Sequence, residues 1–222
     1  MPKSKRAKVV TLTKTLKKAR PAKAAHLDLI RECVEKYSHI YIIRVQNMRN
    51  NLLKTVRGDW STSRFFFGKN KLVSVALGRT ADDEYKENLS QLSTFLKGDC
   101  GVMFTNSPSS EVQSYFESAQ VDEFARSGFV STVDFTVPAG VIDMPFSMET
   151  TLRQLGMDTK LNKGVIELAR NHKVCSVGDV LTPEQGRLLK LFDQKIAVFK
   201  IVPLCVWSDG RFESFVDVDM QE

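Results

Sequence analysis

Several patterns that mark common classes of protein are missing from this chain of 222 residues. Its four cysteines lie far apart and form no C-x-x-C pair, so neither a zinc site nor a disulfide framework is indicated. No apolar run approaches the ~20 residues that a membrane span needs, and the basic N-terminus has no apolar core after it. We therefore expect buried thiols in a reducing compartment, no secretory signal and no membrane partner.

Motifs for nucleotide binding and catalysis are missing as well. Gly68-Lys69 invites comparison with a phosphate-binding loop, but Ser63 stands where that loop needs a glycine, and Asn70 stands where it needs Ser or Thr. The three histidines have no Cys, Asp or Glu at metal-ligand spacing. No nucleophile elbow, zinc-protease helix or dinucleotide-binding turn occurs. The sequence thus predicts no enzyme activity, no metal and no cofactor.

Charge is abundant but unevenly distributed. Residues 1–23 hold nine Lys and Arg and no acid, and residues 44–81 hold eight bases and one acid. Residues 82–150 hold three bases and twelve acids, although the whole chain has a formal net charge of only +6. This asymmetry indicates a polyanionic partner for the first part of the chain and disfavours close RNA contact by the acidic middle.

The basic segment 1–23 cannot bury enough apolar surface to fold alone. It can be a solvated tail, a nuclear-import address or an arm that becomes ordered on RNA, and these interpretations are compatible. The RNA contacts predicted for this arm are Lys3, Lys5, Arg6, Lys8, Lys14, Lys17 and Lys18.

Strand and helix patterns alternate from residue 24 to about residue 118. Helical spacing of apolar residues predicts helices at 24–37, 52–58, 70–77, 85–96 and 109–116. Runs of β-branched and aromatic residues predict strands at 39–45, 64–67 and 100–105. The alternation predicts an α/β fold, a three-layer sheet with helices on both faces.

The pattern changes after residue 121. Short strands are expected at 133–137, 163–168 and 174–180, with a short helix at 149–155. Thr182 then predicts a helix N-cap, because Pro183 follows it and Gln185 completes a capping box.

A strand at 196–207 and a hairpin turn at Asp209-Gly210 resume the first pattern. We therefore predict a basic N-terminal arm (1–23), a discontinuous α/β domain (24–121 and 181–222) and a small α+β insertion domain (122–180).

The stretch from residue 64 to residue 79 is the most distinctive. Three phenylalanines predict a buried strand, Gly68 ends it, and Lys-Asn-Lys begins a helix. A strand end, a glycine turn and a basic helix start can hold cations and backbone N–H groups against phosphate. We interpret residues 65–67 as core rather than as a base-stacking surface.

Eight cations lie within residues 44–79: Arg44, Arg49, Lys54, Arg57, Arg64, Lys69, Lys71 and Arg79. If the sheet is parallel, the turns after successive strands gather on one edge, which would bring Arg49 near Lys69. A solvated basic face is the alternative, but the added charge of the arm favours RNA. We predict RNA contacts for Arg49, Lys54, Arg64, Lys69 and Lys71.

Several short motifs resemble one family over nearly the whole chain. They are Met-Pro-Lys-Ser-Lys-Arg at 1–6, Asn-Met-Arg at 47–49, Phe-Phe-Gly-Lys-Asn-Lys at 66–71, Val-Ala-Leu-Gly-Arg at 75–79, Asp-Glu-Tyr-Lys at 83–86, Leu-Arg-Gln-Leu-Gly at 152–156 and Gly-Asp-Val-Leu-Thr-Pro-Glu-Gln at 178–185. These motifs resemble ribosome assembly factors of the L-ten, or acidic ribosomal stalk-base, protein family.

The resemblance implies an L-ten-like α/β domain interrupted by an insertion domain. It implies a factor of the nucleolus and nucleus, with a transient cytoplasmic stage, that binds large-subunit rRNA at the stalk base among the assembly factors of the pre-60S particle. There it would hold the place later taken by the stalk protein. The resemblance extends rRNA binding to the arm, Asn47, Met48, Arg49 and the turn of Gly68, Lys69, Asn70 and Lys71. Off the particle we expect a monomer.

Two other functions remain open from the residues. No alanine-rich hinge or acidic-hydrophobic tail follows the last α/β segment before Glu222, which suits a placeholder that builds no stalk. A short stalk-base protein that stays on mature ribosomes is one alternative. An RNA-processing enzyme with an unfamiliar site is the other.

Overall fold

The computed structural model of the chain describes residues 20–216. The RNA contacts predicted from Lys3 to Lys18 therefore lie outside the described residues. The described chain forms two compact units. Unit 1 comprises residues 20–43, 62–106 and 204–216, and unit 2 comprises residues 44–61 and 107–203. The predicted boundaries of the insertion domain, 122 and 180, stay a prediction.

Helices and strands alternate in the first half of the described chain, and short strands dominate the middle. The helices are α1 (Arg20–Lys36), α2 (Asn50–Asp59), α3 (Asn70–Leu77), α4 (Leu89–Thr94), α5 (Ser109–Ser118), α6 (Glu149–Gln154) and α7 (Pro183–Leu191). The strands are β1 (His39–Gln46), β2 (Arg64–Phe66), β3 (Cys100–Thr105), β4 (Val121–Glu123), β5 (Phe135–Val137), β6 (Gly140–Ile142), β7 (Thr159–Asn162), β8 (Val165–Leu168), β9 (His172–Cys175), β10 (Ala197–Ser208) and β11 (Arg211–Ser214). Within residues 20–216, no helix is both long enough and apolar enough to cross a membrane.

Unit 1 is built on a sheet with the strand order β11-β10-β1-β3-β2. Strands β1 and β10 each cross the boundary between the units, after Ile43 and before Leu204. Every residue of β3 is buried, so both faces of this strand are covered. Tyr41, Met103 and Phe104 are fully buried at its centre. The predicted α/β fold is confirmed.

The direction of β2 corrects one expectation. It pairs antiparallel with β3, with Phe65 opposite Met103, so the assumption of a parallel sheet is wrong here. The argument that the turns after β1 and β2 gather on one edge therefore loses its basis. Residues 67–99 join the two strands through α3 and α4, and a connection of that length more often joins parallel strands.

The helix predicted at 85–96 is shorter than expected. Asn88 adopts a left-handed conformation with φ of 64°, and α4 begins only at Leu89. The N–H group of Tyr85 donates to the carbonyl oxygen of Leu77 at 3.1 Å, which holds the preceding residues in a turn. A local backbone constraint thus overrides the helical spacing of the leucines.

Unit 2 combines α2 and α5 with three small groups of strands. In its part of β10, Val198 lies opposite Asp122 of β4 in an antiparallel pair. β5 pairs with β9, and a three-stranded sheet has the order β6-β8-β7. Its core includes the fully buried side chains of Leu152, Ile166 and Leu189.

Turn chemistry sets the ends of two strands in unit 2. The strand predicted at 163–168 begins only at Val165, because Lys163 and Gly164 form the preceding turn with φ of 48° and 86°. The strand predicted at 174–180 ends at Cys175, because a turn follows in which Asp179 accepts a hydrogen bond from the N–H group of Ser176 at 2.8 Å.

The capping box at the start of α7 is confirmed. The Thr182 hydroxyl accepts from the N–H group of Gln185 at 3.3 Å. The Gln185 side chain accepts from the N–H group of Thr182 at 2.8 Å. Pro183 occupies the first turn, where its missing N–H group costs no hydrogen bond.

Candidate nucleic-acid interface

The turn at residues 68–71 lies between β2 and α3 in unit 1. Phe65 and Phe66 of β2 are buried, which confirms their interpretation as core and anchors the start of the turn. Lys69 is the N-cap of α3, and the Asn70 side chain donates to the carbonyl oxygen of Gly98 at 2.8 Å. A buried strand on one side and a bonded helix start on the other hold this turn in place.

Gly68 is exposed and faces open space. A Cβ atom added there would have His26 Nε2, at 3.9 Å, as its nearest neighbour. Its backbone does not lie in the left-handed region, so neither sterics nor conformation inside this chain requires glycine. The space above Gly68 is therefore available to an approaching group.

Beside this turn lies a shallow depression of about 360 Å³. Its lining consists of two cations and three hydroxyl side chains: Lys71, Arg79, Ser74, Ser93 and Thr94. The hydroxyls of Ser74 and Ser93 donate to backbone carbonyls at 3.0 and 2.6 Å, which fixes their positions. Cations and hydroxyls together suit the oxygen atoms of a phosphate group.

Arg64 precedes this turn at the start of β2. Its side chain is exposed, and the guanidinium carbon lies 5.6 Å from the centroid of the Phe66 ring. A cation held on a buried ring keeps its hydrogen-bond donors available to solvent. Arg64 is therefore accessible at the same end of α3 as Lys69.

The turn at residues 47–49 joins β1 to α2 in unit 2. Asn47 has a φ of 50°, and its side chain donates to the carbonyl oxygen of Val198 at 2.8 Å. Met48 is 41% exposed. Lys54 is exposed on α2, the helix that this turn begins.

Arg49, the N-cap of α2, is occupied by contacts within unit 2. Its Nη2 donates to the carbonyl oxygen of Phe124, and its Nε lies 3.9 Å from Glu123 Oε1. Only 18% of the side chain is exposed. Arg49 thus serves first as an internal support, since Glu123 already offsets its charge.

The predicted RNA contacts fall into two groups. The members in unit 1 are Arg64, Gly68, Lys69, Asn70 and Lys71, and those in unit 2 are Asn47, Met48, Arg49 and Lys54. The role of each as an RNA contact stays a prediction, and so does the proximity of Arg49 to Lys69.

Two cations beside Arg49 were not predicted. Arg126 and Lys190 line depressions that Arg49 also lines. Arg126 lies in the acidic middle of the sequence, and Lys190 lies in its charge-balanced end, so segment charge gave no signal for either. Their closeness to Arg49 arises from the tertiary fold, and no local pattern indicates it.

A tyrosine positions α2 against α5. The Tyr115 hydroxyl donates to Asp59 Oδ2 at 2.5 Å, and its ring meets the Trp60 ring edge-on with centroids 5.4 Å apart. Burial, followed by the hydrogen bond to Asp59, raises the pKa of Tyr115 to about 12. The contact fixes the helix that carries Lys54.

The four cysteines are free, as expected. Cys100, Cys175 and Cys205 are buried, and Cys33 is partly buried. Burial raises the pKa of Cys205 to about 12, which keeps that thiol protonated and unreactive. Among residues 20–216, no three His, Cys, Asp or Glu side chains are grouped so that they could hold a metal ion.

Comparison with known proteins agrees with the resemblance read from the motifs. The family described as "Ribosomal protein L10" matches residues 18–121, and a second family, described as an insertion domain in the 60S ribosomal protein of this type, matches residues 125–193. A protein named Ribosome assembly factor mrt4 in Dictyostelium discoideum is 45% identical to this chain over 96% of both proteins.

Two further relatives extend the comparison. The protein of the same name in Neurospora crassa is 40% identical over 96% of this chain and 92% of its own length. Large ribosomal subunit protein uL10 of Saccharomyces cerevisiae is 27% identical over 91% of this chain and 65% of its own length. The chain therefore belongs to the mrt4 family of ribosome assembly factors, which shares its α/β domain with ribosomal protein L10.

Proposed function

We propose that this ribosome assembly factor binds large-subunit rRNA at the stalk base of nuclear pre-60S particles. It catalyses no reaction there and holds the site until the ribosomal stalk protein replaces it. One observation carries the proposal: residues 18–121 match a family of ribosomal proteins, whereas the relatives at 40–45% identity are named assembly factors. A chain that shares the domain of a subunit protein, but not its role, can occupy the same rRNA site at an earlier stage.

The geometry of unit 1 supports phosphate binding by the turn at 68–71. Lys69 and Lys71 are exposed, and neither has an ion-pair partner among the described residues. Free cations gain most from phosphate, since no internal contact must be broken first and counterions are released on binding. The open space at Gly68 lets the RNA backbone approach them closely.

A binding assay tests the rRNA contact. We expect Lys69→Glu/Lys71→Glu to weaken binding to the stalk-base rRNA fragment at least tenfold and to lower the salt slope of the affinity by about two. Lys36→Glu/Arg211→Glu is the matched control, because both residues are exposed in unit 1 and the change in net charge is the same. Binding that ignores both salt and the charge reversal would contradict the proposal.

Sedimentation tests the placeholder role and its location. The tagged protein should migrate with nuclear and nucleolar pre-60S particles, reach the cytoplasm only transiently, and be absent from polysomes. Stable presence on polysomes would instead identify a stalk-base protein of mature ribosomes. This outcome would leave rRNA binding intact and remove the placeholder role.

A further inference from the structure

Two depressions of unit 2 adjoin each other beside the turn at 47–49. One has a volume of about 320 Å³ and is lined by residues 47–49, Phe124 and residues 126–129. The other, of about 460 Å³, is lined by residues 49–51, residues 123–126, Gly186 and Lys190. Because both include Arg49, Phe124 and Arg126, they form one continuous surface, called here the Arg126 groove.

Positive charge exceeds negative charge in the Arg126 groove. Its charged lining residues are Arg49, Glu123, Arg126 and Lys190. Arg49 and Glu123 offset each other across 3.9 Å. Arg126 and Lys190 are exposed, and neither has a hydrogen-bond or ion-pair partner among residues 20–216. The groove therefore keeps two charges that no internal acid neutralises.

Close packing fixes the elements that carry these two cations. Ala125, next to Arg126, is 5% exposed and belongs to the core of unit 2. Gly186 lies one helical turn before Lys190, and a Cβ atom added to it would lie 3.4 Å from the Ala125 carbonyl oxygen. The backbone segment of Arg126 and helix α7 thus touch, so their exposed cations face the groove from a rigid base.

We propose that the Arg126 groove binds the phosphodiester backbone of rRNA as a second contact of this protein. The inference rests on the proposed function and adds a site to it. Two cations from separate elements suit consecutive phosphates along a strand. Phe124 and Phe129 are half-buried in the same lining, and Lys195 Nζ lies 5.7 Å from the centroid of the Phe124 ring. Aromatic rings between cations also suit a sugar or an unstacked base.

The acidic character of residues 82–150 does not oppose this site. Arg126 is one of only three bases in that segment, yet the fold places it beside Arg49 and Lys190, which come from other parts of the sequence. Net charge summed along a segment describes its average field, whereas phosphate contacts depend on the charges within a Debye length, about 8–10 Å.

Charge reversal in the groove tests the inference. Arg126→Glu/Lys190→Glu should weaken binding to the stalk-base rRNA fragment on the order of tenfold and lower the salt slope by about two. Lys163→Glu/Lys173→Glu is the matched control, since both lysines are exposed in unit 2 outside the groove. Arg126→Gln/Lys190→Gln removes the charges without adding acids, and it should lower the salt slope equally.

The outcomes separate this inference from the proposed function. If Lys69→Glu/Lys71→Glu weakens binding but Arg126→Glu/Lys190→Glu behaves like its control, the groove is not an RNA site and the proposed function stands. If the unaltered protein shows no salt-dependent binding, the proposed function fails and the inference fails with it. Unchanged rRNA affinity together with lost retention on pre-60S particles would assign the groove to an acidic protein and overturn the inference.

Discussion

The turns at residues 47–49 and 68–71 have the same local plan but use their cations differently. Each begins a helix with a basic N-cap residue in an extended conformation, Arg49 for α2 and Lys69 for α3, and neither cap uses its side chain. Arg49 is held by Glu123 and the Phe124 carbonyl, whereas Lys69 is exposed. A cation at a helix start is therefore either an internal support or an available ligand, and its partners decide which.

The residue types match these two uses. A guanidinium group presents five donors in a planar fork, so Arg49 can reach a carboxylate and a carbonyl at once. An ammonium group is a compact, hydrated charge that suits a phosphate in solvent. The comparison predicts that changes at the turn 68–71 affect RNA affinity, whereas changes around Arg49 affect stability first.

The largest effect is expected from Gly68→Glu. A carboxylate beside the bound phosphate should weaken rRNA binding by roughly 2 kcal/mol, or about thirtyfold in Kd, through repulsion. Gly68→Ala is the control, because its methyl group would meet only His26 Nε2 at 3.9 Å and carries no charge. Equal affinity of the two folded variants would mean that this turn faces away from the RNA.

A smaller effect, on stability, is expected from Arg49→Ala. The change removes the hydrogen bond to Phe124 and the ion pair with Glu123, which should lower the free energy of unfolding by about 1.5 kcal/mol. Lys69→Ala should change it by less than about 0.5 kcal/mol, since Lys69 is exposed. Urea unfolding measures both values, and an Arg49→Ala variant as stable as Lys69→Ala would remove the distinction between the turns.

The smallest effect is expected from Tyr115→Phe, which loosens the helix that Arg49 caps. Loss of the hydrogen bond to Asp59 should cost about 1 kcal/mol near neutral pH. The folded-state pKa of Tyr115, about 12, lies above the ordinary value of about 10. The contribution is therefore fully present below pH ~10 and lost as the pH rises towards 12. Unfolding curves of both proteins at pH 8 and 11 should converge, and a constant difference would contradict this assignment.

Local signals in the sequence predicted the elements around the turn at 68–71. The bounds of α3 follow from Gly68 and Gly78, which flank its apolar spacing, and the structure confirms them. Thr182, Pro183 and Gln185 likewise fix the start of α7. These features involve residues within one or two turns of each other, so pattern and propensity suffice to place them.

Contacts between distant residues could not be predicted in the same way. Arg49 and Phe124 lie 75 positions apart, and nothing in either segment links them before the chain folds. The antiparallel direction of β2 depends on how residues 67–99 cross the sheet, which periodicity does not encode. Arg126 and Lys190 are isolated charges in the sequence and become a pair only through α7.

Crosslinking on purified nuclear pre-60S particles tests the central claim most directly. A photoreactive group placed at position 69, with an equivalent at Arg211 as the control, reports which RNA lies beside the turn at 68–71. We predict crosslinks from position 69 to the stalk-base segment of the large-subunit rRNA, and none from position 211. Crosslinks to another rRNA region, or none from position 69 while the protein remains on the particle, would contradict the proposed site.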